Sequence, residues 1–104
     1  MPEIVLTDLH NGVTVRVAPG DTVVIRLPDN PTTGYRWQTV VDPGLVLAGD
    51  DFSAGSSAAG AGGTRSLRFA ARTHGAFEVR ASLRRKWESG GAAQAEFLAT
   101  IEVG

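Results

Sequence analysis

The sequence predicts an all-β fold, an antiparallel β-sandwich of seven or eight short strands. Apolar and polar residues alternate with period two in several segments, which is typical of half-buried strands. Turn sequences such as Asn11-Gly12, Pro19-Gly20-Asp21 and Asp42-Pro43-Gly44 separate these segments. No stretch keeps a helical period, and segment 91–100, which comes closest, soon alternates as a strand. Strands and turns at this spacing favour two packed sheets, immunoglobulin-like in outline.

The first half of the chain contains four predicted strands. Segments 13–17 and 23–27 have valine, isoleucine or leucine at every second position. Segments 35–41 and 45–52 are rich in β-branched and aromatic residues but alternate less cleanly. Because Asn-Gly is the preferred pair for a two-residue turn, Asn11-Gly12 predicts a hairpin just before the first of these strands.

The second half contains three further strands with a clearer pattern. Segments 67–71, 77–83 and 97–103 each place an apolar residue at every second position. His74-Gly75 separates the first two of them, and Ser89-Gly90-Gly91 lies before the third. Both sequences are typical of turns, so consecutive strands are expected to reverse direction.

Composition limits the function classes open to this chain. It has 104 residues, of which 42% are hydrophobic and 20% charged, as expected for one globular domain over 1–104. It contains no cysteine and only two histidines, His10 and His74, which both precede turns. Neither a thiol nucleophile nor a histidine-based metal site can be assembled from this set, and no Gly-x-Ser-x-Gly elbow occurs. We therefore expect no enzyme, no metal and no cofactor.

Charge is balanced overall but unevenly distributed. The net charge of −1 predicts no general attraction to nucleic acid or to an anionic membrane. Segment 65–86, however, holds seven bases and one acid. This segment is either a solvated sheet face or a positive edge that meets an acidic partner.

The termini and the hydropathy give little information on location. No apolar run approaches the ~20 residues of a membrane span. The first residues lack the basic, apolar and small-residue order of a signal peptide. The sequence is therefore compatible with a cytoplasmic protein or with a mature secreted or periplasmic form.

Three connections between strands are unusual in length or composition. They cover residues 28–34, 53–63 and 85–93. In a sandwich, alternate loops emerge at the same end, as antibody recognition loops do. The strand count predicts that these three connections share one rim.

The first of these loops is the richest in conformational signals. Pro31 fixes its own φ and restrains Asn30, whose side chain can bond local backbone amides. Gly34 permits a positive φ, so that the chain can turn sharply before the next strand. Thr32 and Thr33 remain as compact groups at the tip. The loop is either a well-made turn or a rigid binding wedge, because rigidity lowers the entropy cost of association.

The second loop contains Gly60-Ala61-Gly62-Gly63. A phosphate-binding loop would continue with Gly-Lys-Ser/Thr or open a helix, whereas Thr64-Arg65 follows here and begins a strand. Two interpretations remain. The segment is a flexible linker, or it is a bare backbone that can approach and pair with another backbone.

The two tryptophans lie in different contexts. Trp37 follows the first loop on a predicted strand, which favours a place in the core. Trp87 lies beside Arg85 and Lys86 at the end of a strand facing a glycine-rich turn. Because tryptophan and arginine are the favoured anchors of interfaces, Trp87 is a candidate binding residue.

Taken together, the three loops resemble those of the chagasin family of cysteine protease inhibitors. The resemblance rests on Asn30-Pro31-Thr32-Thr33-Gly34-Tyr35 with Trp37 two residues on, then on Gly60-Ala61-Gly62-Gly63, and last on Arg85-Lys86-Trp87. Their order and spacing fit across a chain of about the family's length. The first motif is highly specific, whereas the glycine motif alone is weak.

The resemblance implies a tight-binding, competitive inhibitor of a papain-like cysteine protease, of the papain or cathepsin L type. By this resemblance Thr32 and Thr33 would cover the catalytic cysteine, and the backbone of Gly60–Gly63 would pair with the non-primed side of the cleft. Arg85 and Trp87 would cover the primed side. An inhibitor of this type needs its loop rim free, so we expect a monomer.

The third loop departs from the family pattern, and an alternative function stays open. The family usually has Arg-Pro-Trp, whereas this chain has Lys86 in the middle position. Lysine leaves φ free and restores a backbone N–H, which predicts a less rigid loop and weaker inhibition.

The alternative function is a generic β-sandwich module that binds carbohydrate or another protein, with Trp87 and Tyr35 as a stacking platform.

Overall fold

The computed structural model describes residues 3–30, 34–54, 62–85 and 93–104. The described residues form eight strands and one short 3₁₀ helix, Asp8–His10, joined by turns. Among these residues, no helix is long and apolar enough to cross a membrane. The strands are β1 (Glu3–Thr7), β2 (Val13–Val17), β3 (Thr22–Asp29), β4 (Tyr35–Val41), β5 (Leu45–Ala54), β6 (Gly63–Ala71), β7 (Gly75–Arg85) and β8 (Ala95–Val103).

The strands form two four-stranded sheets, which confirms the predicted immunoglobulin-like sandwich. The first sheet has the order β1-β3-β6-β5 and the second has the order β2-β8-β7-β4. All seven strands expected from the sequence are present, and β1 is the eighth. The pattern did not reveal β1 because its run Glu-Ile-Val-Leu-Thr does not alternate and it buries only Leu6.

Two of the strand pairings are parallel, which the prediction of an antiparallel sandwich did not include. β1 pairs with β3 and β2 pairs with β8 in parallel, whereas β3–β6, β5–β6, β4–β7 and β7–β8 are antiparallel. In each parallel pair, the amino-terminal strand, β1 or β2, is the edge strand of its sheet. Only β5–β6 and β7–β8 are hairpins of consecutive strands, since the other described connections pass from one sheet to the other.

The hairpin predicted at Asn11-Gly12 is wrong. The strands on either side of this turn, β1 and β2, lie in different sheets. Gly12 has a φ of 86°, as the turn chemistry requires, but its N–H donates to the carbonyl of Leu98 at 2.7 Å. The Asn11 side-chain oxygen accepts from the Leu98 N–H at 2.8 Å. The turn therefore attaches the chain to β8, and this tertiary contact overrides the local preference for a hairpin.

The core lies between the sheets and follows the predicted alternation. The fully buried large side chains include Ile25 and Leu27 of β3, Phe69 of β6, Val79 of β7 and Ile101 of β8. At about 25 cal/mol per Å² of apolar surface, each such side chain contributes roughly 1.5–3 kcal/mol relative to its exposed state. This two-layer core holds the strand ends, and therefore the connecting loops, in fixed positions.

Candidate functional site

The stems of the three predicted loops meet at one end of the sandwich, which we call the loop end. In the first sheet, Gly63 at the start of β6 pairs with both Asp29, the last residue of β3, and Ala54, the last of β5. In the second sheet, Tyr35 at the start of β4 pairs with Arg85 at the end of β7. The strand register thus brings the described ends of all three loops together.

Trp37 joins the two sheets beneath the first loop. It lies on β4, two residues after the loop, and its ring packs half-buried against the core. Its indole Nε1–H donates to the carbonyl oxygen of Pro28 on β3 at 2.9 Å. The prediction of a place in the core is correct, and the hydrogen bond adds a second role. It fixes the distance between the strand that enters the loop and the strand that leaves it.

Gly34 and Tyr35 shape the exit of the first loop. Gly34 has a φ of 82°, the left-handed conformation expected for this position. The guanidinium carbon of Arg85 lies 5.1 Å from the centroid of the Tyr35 ring, within the range of a cation–π contact. The stems of the first and third loops are therefore in contact through these two side chains.

The first and second loops also approach each other closely. A Cβ built on Gly62 would lie 3.5 Å from the backbone oxygen of Asp29 and 3.7 Å from the Cβ of Asn30. These distances correspond to ordinary van der Waals contact, so Gly62 lies directly against the entry of the first loop. The backbone at the end of the second loop is thereby supported by the first.

A buried ion pair lies under the loop end. The Asp29 side chain is only 2% exposed, and its Oδ2 accepts from Nε of Arg65 at 2.9 Å. Nη1 of the same guanidinium donates to Oδ1 of Asp50 at 2.8 Å. Burial opposes the charge of Arg65, but the hydrogen bonds and charges of Asp29 and Asp50 outweigh it and raise the pKa of Arg65. The cluster thus ties β3, β6 and β5 together through one cation.

Sequence reasoning missed this cluster, although a signal was present. Asp29 and Arg65 both occupy core-facing positions in the alternation of their strands, where a charge is unexpected unless it is paired. Asp50 and Asp51 are adjacent acids on β5, for which the sequence favours a solvated strand end or a weak cation site. The described residues contain no group of histidines or acids that could hold a metal ion. Asp50 instead binds Arg65.

A depression between the sheets opens at the loop end, with a volume of about 430 Å³. Asn30 and Gly62 line it from the first sheet, and Trp37, Leu83 and Ala95 line it from the second. Its lining thus includes residues next to all three loops.

Six of the predicted site residues belong to the described chain, and all six gather at the loop end. They are Asn30, Gly34, Tyr35, Gly62, Gly63 and Arg85. The other seven lie outside the described residues, and they are Pro31, Thr32, Thr33, Gly60, Ala61, Lys86 and Trp87.

Three of the seven bases in the predicted positive stretch form ion pairs within the chain. Arg65 binds two acids, Arg68 bonds to Glu3, and Arg80 bonds to Glu78 at 3.1 Å. The exposed pairs of Arg68 and Arg80 favour the interpretation of a solvated sheet face at those two positions.

Comparison with known families gives the class of the protein. Residues 16–101 match the family described as chagasin family peptidase inhibitor I42. The chain therefore belongs to the chagasin family of peptidase inhibitors. This membership confirms the prediction of a cysteine protease inhibitor rather than an enzyme.

Individual relatives agree with this assignment. Chagasin from Trypanosoma cruzi is 35% identical over 89 aligned residues, and the match covers 79% of this chain and 81% of chagasin. The crystal structure of the cysteine protease inhibitor EhICP2 from Entamoeba histolytica matches with a TM-score of 0.90 and 22% identity, over 98% of this chain and 96% of that chain. PbICP-C, solved in complex with falcipain-2, matches with a TM-score of 0.58 and 13% identity, over 98% of this chain and 88% of that chain. The two structural matches support the fold.

Proposed function

We propose that the protein is a reversible, tight-binding, competitive inhibitor of papain-like cysteine proteases that inserts its three loops into the active-site cleft. The observation that carries this proposal is the meeting of the three loop stems at one end of the sandwich, in a chain of the chagasin family. A wedge in contact at three points can bury the area typical of protease–inhibitor complexes. The complex of PbICP-C with falcipain-2 supports a protease as the partner of this fold.

The rigidity of the loop end favours tight binding. The Trp37–Pro28 hydrogen bond and the Asp29–Arg65 pair both fix the entry of the first loop. Since these contacts exist in the free protein, association requires less ordering of the backbone. The expected consequence is slow dissociation, because most differences in affinity lie in the dissociation rate.

Each loop has a proposed role in the cleft. Thr32 and Thr33 cover the catalytic cysteine and present no scissile peptide in attack geometry, so the inhibitor blocks without being cut. The backbone of Gly60–Gly63 pairs with the non-primed side. Arg85 and Trp87 cover the primed side. The contact of Arg85 with Tyr35 supports this role because it restrains the arginine before binding.

Residues 1–104 form one inhibitor domain in this proposal, and the inhibitor acts as a monomer with its loop end free. The match to the family over residues 16–101 supports a single unit.

The alternative function is a generic β-sandwich module that binds carbohydrate or another protein without a protease target, and the described residues give little support to binding of carbohydrate. Stacking on a sugar requires an open aromatic face, and Arg85 covers one face of the Tyr35 ring. The experiment below distinguishes the two functions directly.

The test is inhibition of papain and cathepsin L, each titrated for active sites beforehand. We expect competitive inhibition that is reversed by dilution, with the inhibitor intact on a gel after prolonged incubation. No inhibition of either protease at micromolar concentration would contradict the proposal. Binding of an oligosaccharide by the same sample would then favour the alternative.

Two substitutions rank the proposed contacts. Trp87→Ala should weaken inhibition by roughly 2 kcal/mol or more, as expected for a tryptophan anchor, and Thr33→Ala should weaken it less. Thr73→Ala is the matched control, because Thr73 lies between β6 and β7 at the opposite end of the sandwich. Inhibition constants that are equal for the parent and the Trp87 variant would remove Trp87 from the site.

A further inference from the structure

Two arginines lie directly opposite each other on the outer face of the second sheet, next to the loop end. Arg36 of β4 pairs in register with Arg84 of β7, one step from the Tyr35–Arg85 pair at the loop stems. Because side chains alternate along a strand, Arg36 and Arg84 face outward where Tyr35 and Arg85 face inward. We call Arg36 and Arg84 the arginine pair.

This arrangement is unfavourable for the fold itself. Like charges directly opposite each other in an antiparallel pair repel and lower stability. The next outward pair, Gln38 and Ser82, is uncharged, and an exposed acid, Glu96, lies opposite Ser82 on β8. β4 contains no acid, and the single acid of β7 is Glu78, which bonds to Arg80.

Arg36 is an exposed arginine beside the loop end that has no carboxylate partner among the described residues. Arg16, Arg65, Arg68 and Arg80 each form an ion pair with an acid. Arg36 is exposed, and it has none within the part of the chain that the structure describes. Arg84 makes a further interaction within the chain, so the inference rests on Arg36.

The position of Arg36 indicates what its charge faces in a complex. A protein that receives the three loops in a cleft must bring the borders of that cleft against the outer surfaces beside the loops. Arg36 lies on such a surface, immediately after Tyr35. A long guanidinium side chain there reaches past the loop stem, and its natural counterpart is a carboxylate on the border of the cleft.

We propose that Arg36, with Arg84 beside it, is an auxiliary contact outside the cleft for acidic side chains on the border of the target protease's active site. The inference rests on the proposed inhibitory function and deepens it. A charge at the rim of an interface acts chiefly on the association rate and on the choice of partner. The protein therefore associates fastest with proteases whose cleft border is acidic.

The experiment compares Arg36→Gln with Arg72→Gln, which removes the same charge from an exposed residue beyond the end of β6, away from the loops. Association rates with papain and cathepsin L are measured at low and high salt, about 0.02 M and 0.5 M, where exposed charges are weakly and strongly screened. Arg36→Gln should slow association roughly two- to fivefold at low salt with at least one of the proteases, and the difference should vanish at high salt. Arg72→Gln should match the parent.

A second readout separates this role from a structural one. Because Arg36→Gln relieves a like-charge pair, its Tm should equal or exceed that of the parent, whereas damage to the fold would lower it. Association rates of Arg36→Gln equal to those of the parent with both proteases would overturn the inference and leave the proposed function intact. A parent that inhibits neither protease would overturn the proposed function, and this inference with it.

Discussion

At the scale of single residues, the loop end depends on a few polar contacts that lie between the core and the loops. The indole of Trp37 and the carboxylate of Asp29 each connect strands that the loops would otherwise leave free to separate. Asp29 lies outside the motifs of the resemblance, and Trp37, which completes the first motif, is not among the residues proposed to enter the cleft. Trp37 and Asp29 are therefore expected to affect inhibition by holding the loops in place rather than by contacting the protease.

Trp37→Phe tests the first of these contacts. The substitution keeps an aromatic ring but removes the hydrogen bond to the Pro28 carbonyl, so stability should fall by about 1 kcal/mol or slightly more. Inhibition should weaken as well, since the entry of the first loop is less restrained. Urea denaturation and inhibition constants measure the two effects, with Thr73→Ala as the control. A variant with parental inhibition would show that the bond is not needed to position the loop.

Arg65→Met tests the buried pair. It leaves the 2% exposed Asp29 carboxylate without its cation, and the expected loss is about 3 kcal/mol. Because the pKa of Arg65 is raised in the folded protein, its stabilising effect is fully present below the ordinary pKa of arginine and is lost only as pH rises through the higher folded value.

The matched control for this pair is Arg16→Met. Arg16 and Glu102 form an ion pair whose side chains are 89% and 42% exposed, so breaking it should cost less than about 1 kcal/mol. Chemical denaturation of both variants provides the comparison. Adding Asp29→Asn to Arg65→Met should restore part of the loss, because the unpaired buried charge is then removed. Similar losses for the two single variants would contradict this account.

At the scale of elements, the sequence pattern was enough to predict seven strands and, for the five that alternate clearly, which of their faces is buried. Segments 67–71 and 97–103 show why, since each has an apolar residue at every second position and these residues are the buried ones. The pairing partners of the amino-terminal strands could not be predicted in the same way. Asn11-Gly12 has the chemistry of a hairpin turn, but its hydrogen bonds go to Leu98, far along the chain.

Part of the candidate site was predictable for a similar reason. The loop stems follow from strand order, so residues such as Gly34 and Arg85 could be assigned to one rim from the sequence. The supporting contacts could not, because they depend on register between strands distant in sequence. Asp29 and Arg65 are 36 positions apart, and their side chains meet only because β3 pairs with β6.

The third loop provides a prediction at this scale. Lys86→Pro should tighten inhibition, since proline fixes φ and reduces the freedom that the loop loses on binding. Arg85 is the last residue of β7 and therefore extended, which is the conformation that a residue before proline prefers. A gain of about 0.4–1 kcal/mol corresponds to a roughly two- to fivefold lower inhibition constant. An inhibition constant equal to or above that of the parent would contradict the prediction.

At the scale of the whole molecule, the two ends of the sandwich have different roles, one in binding and the other in stability. The loop end carries the motifs of the resemblance and the contacts that support them. The opposite end is closed by tight connections, among them Asp42-Pro43-Gly44 between β4 and β5, where Leu45 N–H donates to the Asp42 carbonyl at 3.1 Å. The Asp42 carboxylate also accepts from the Glu78 N–H at 2.8 Å. Binding and stability should therefore be separable by substitutions at opposite ends.

Gly44→Ala tests this separation. A Cβ at Gly44 would lie 2.0 Å from Cε1 of the Phe77 ring, so the ring or the turn must move, and stability should fall by about 1–3 kcal/mol. Gly104→Ala is the control, because no atom lies within 4 Å of a Cβ placed there. Thermal denaturation should show a lower Tm for Gly44→Ala only, while inhibition constants of both variants, measured well below their Tm values, should equal that of the parent. A weakened inhibition constant for folded Gly44→Ala would show that strain at the far end reaches the loops, and the two ends would then be coupled rather than independent.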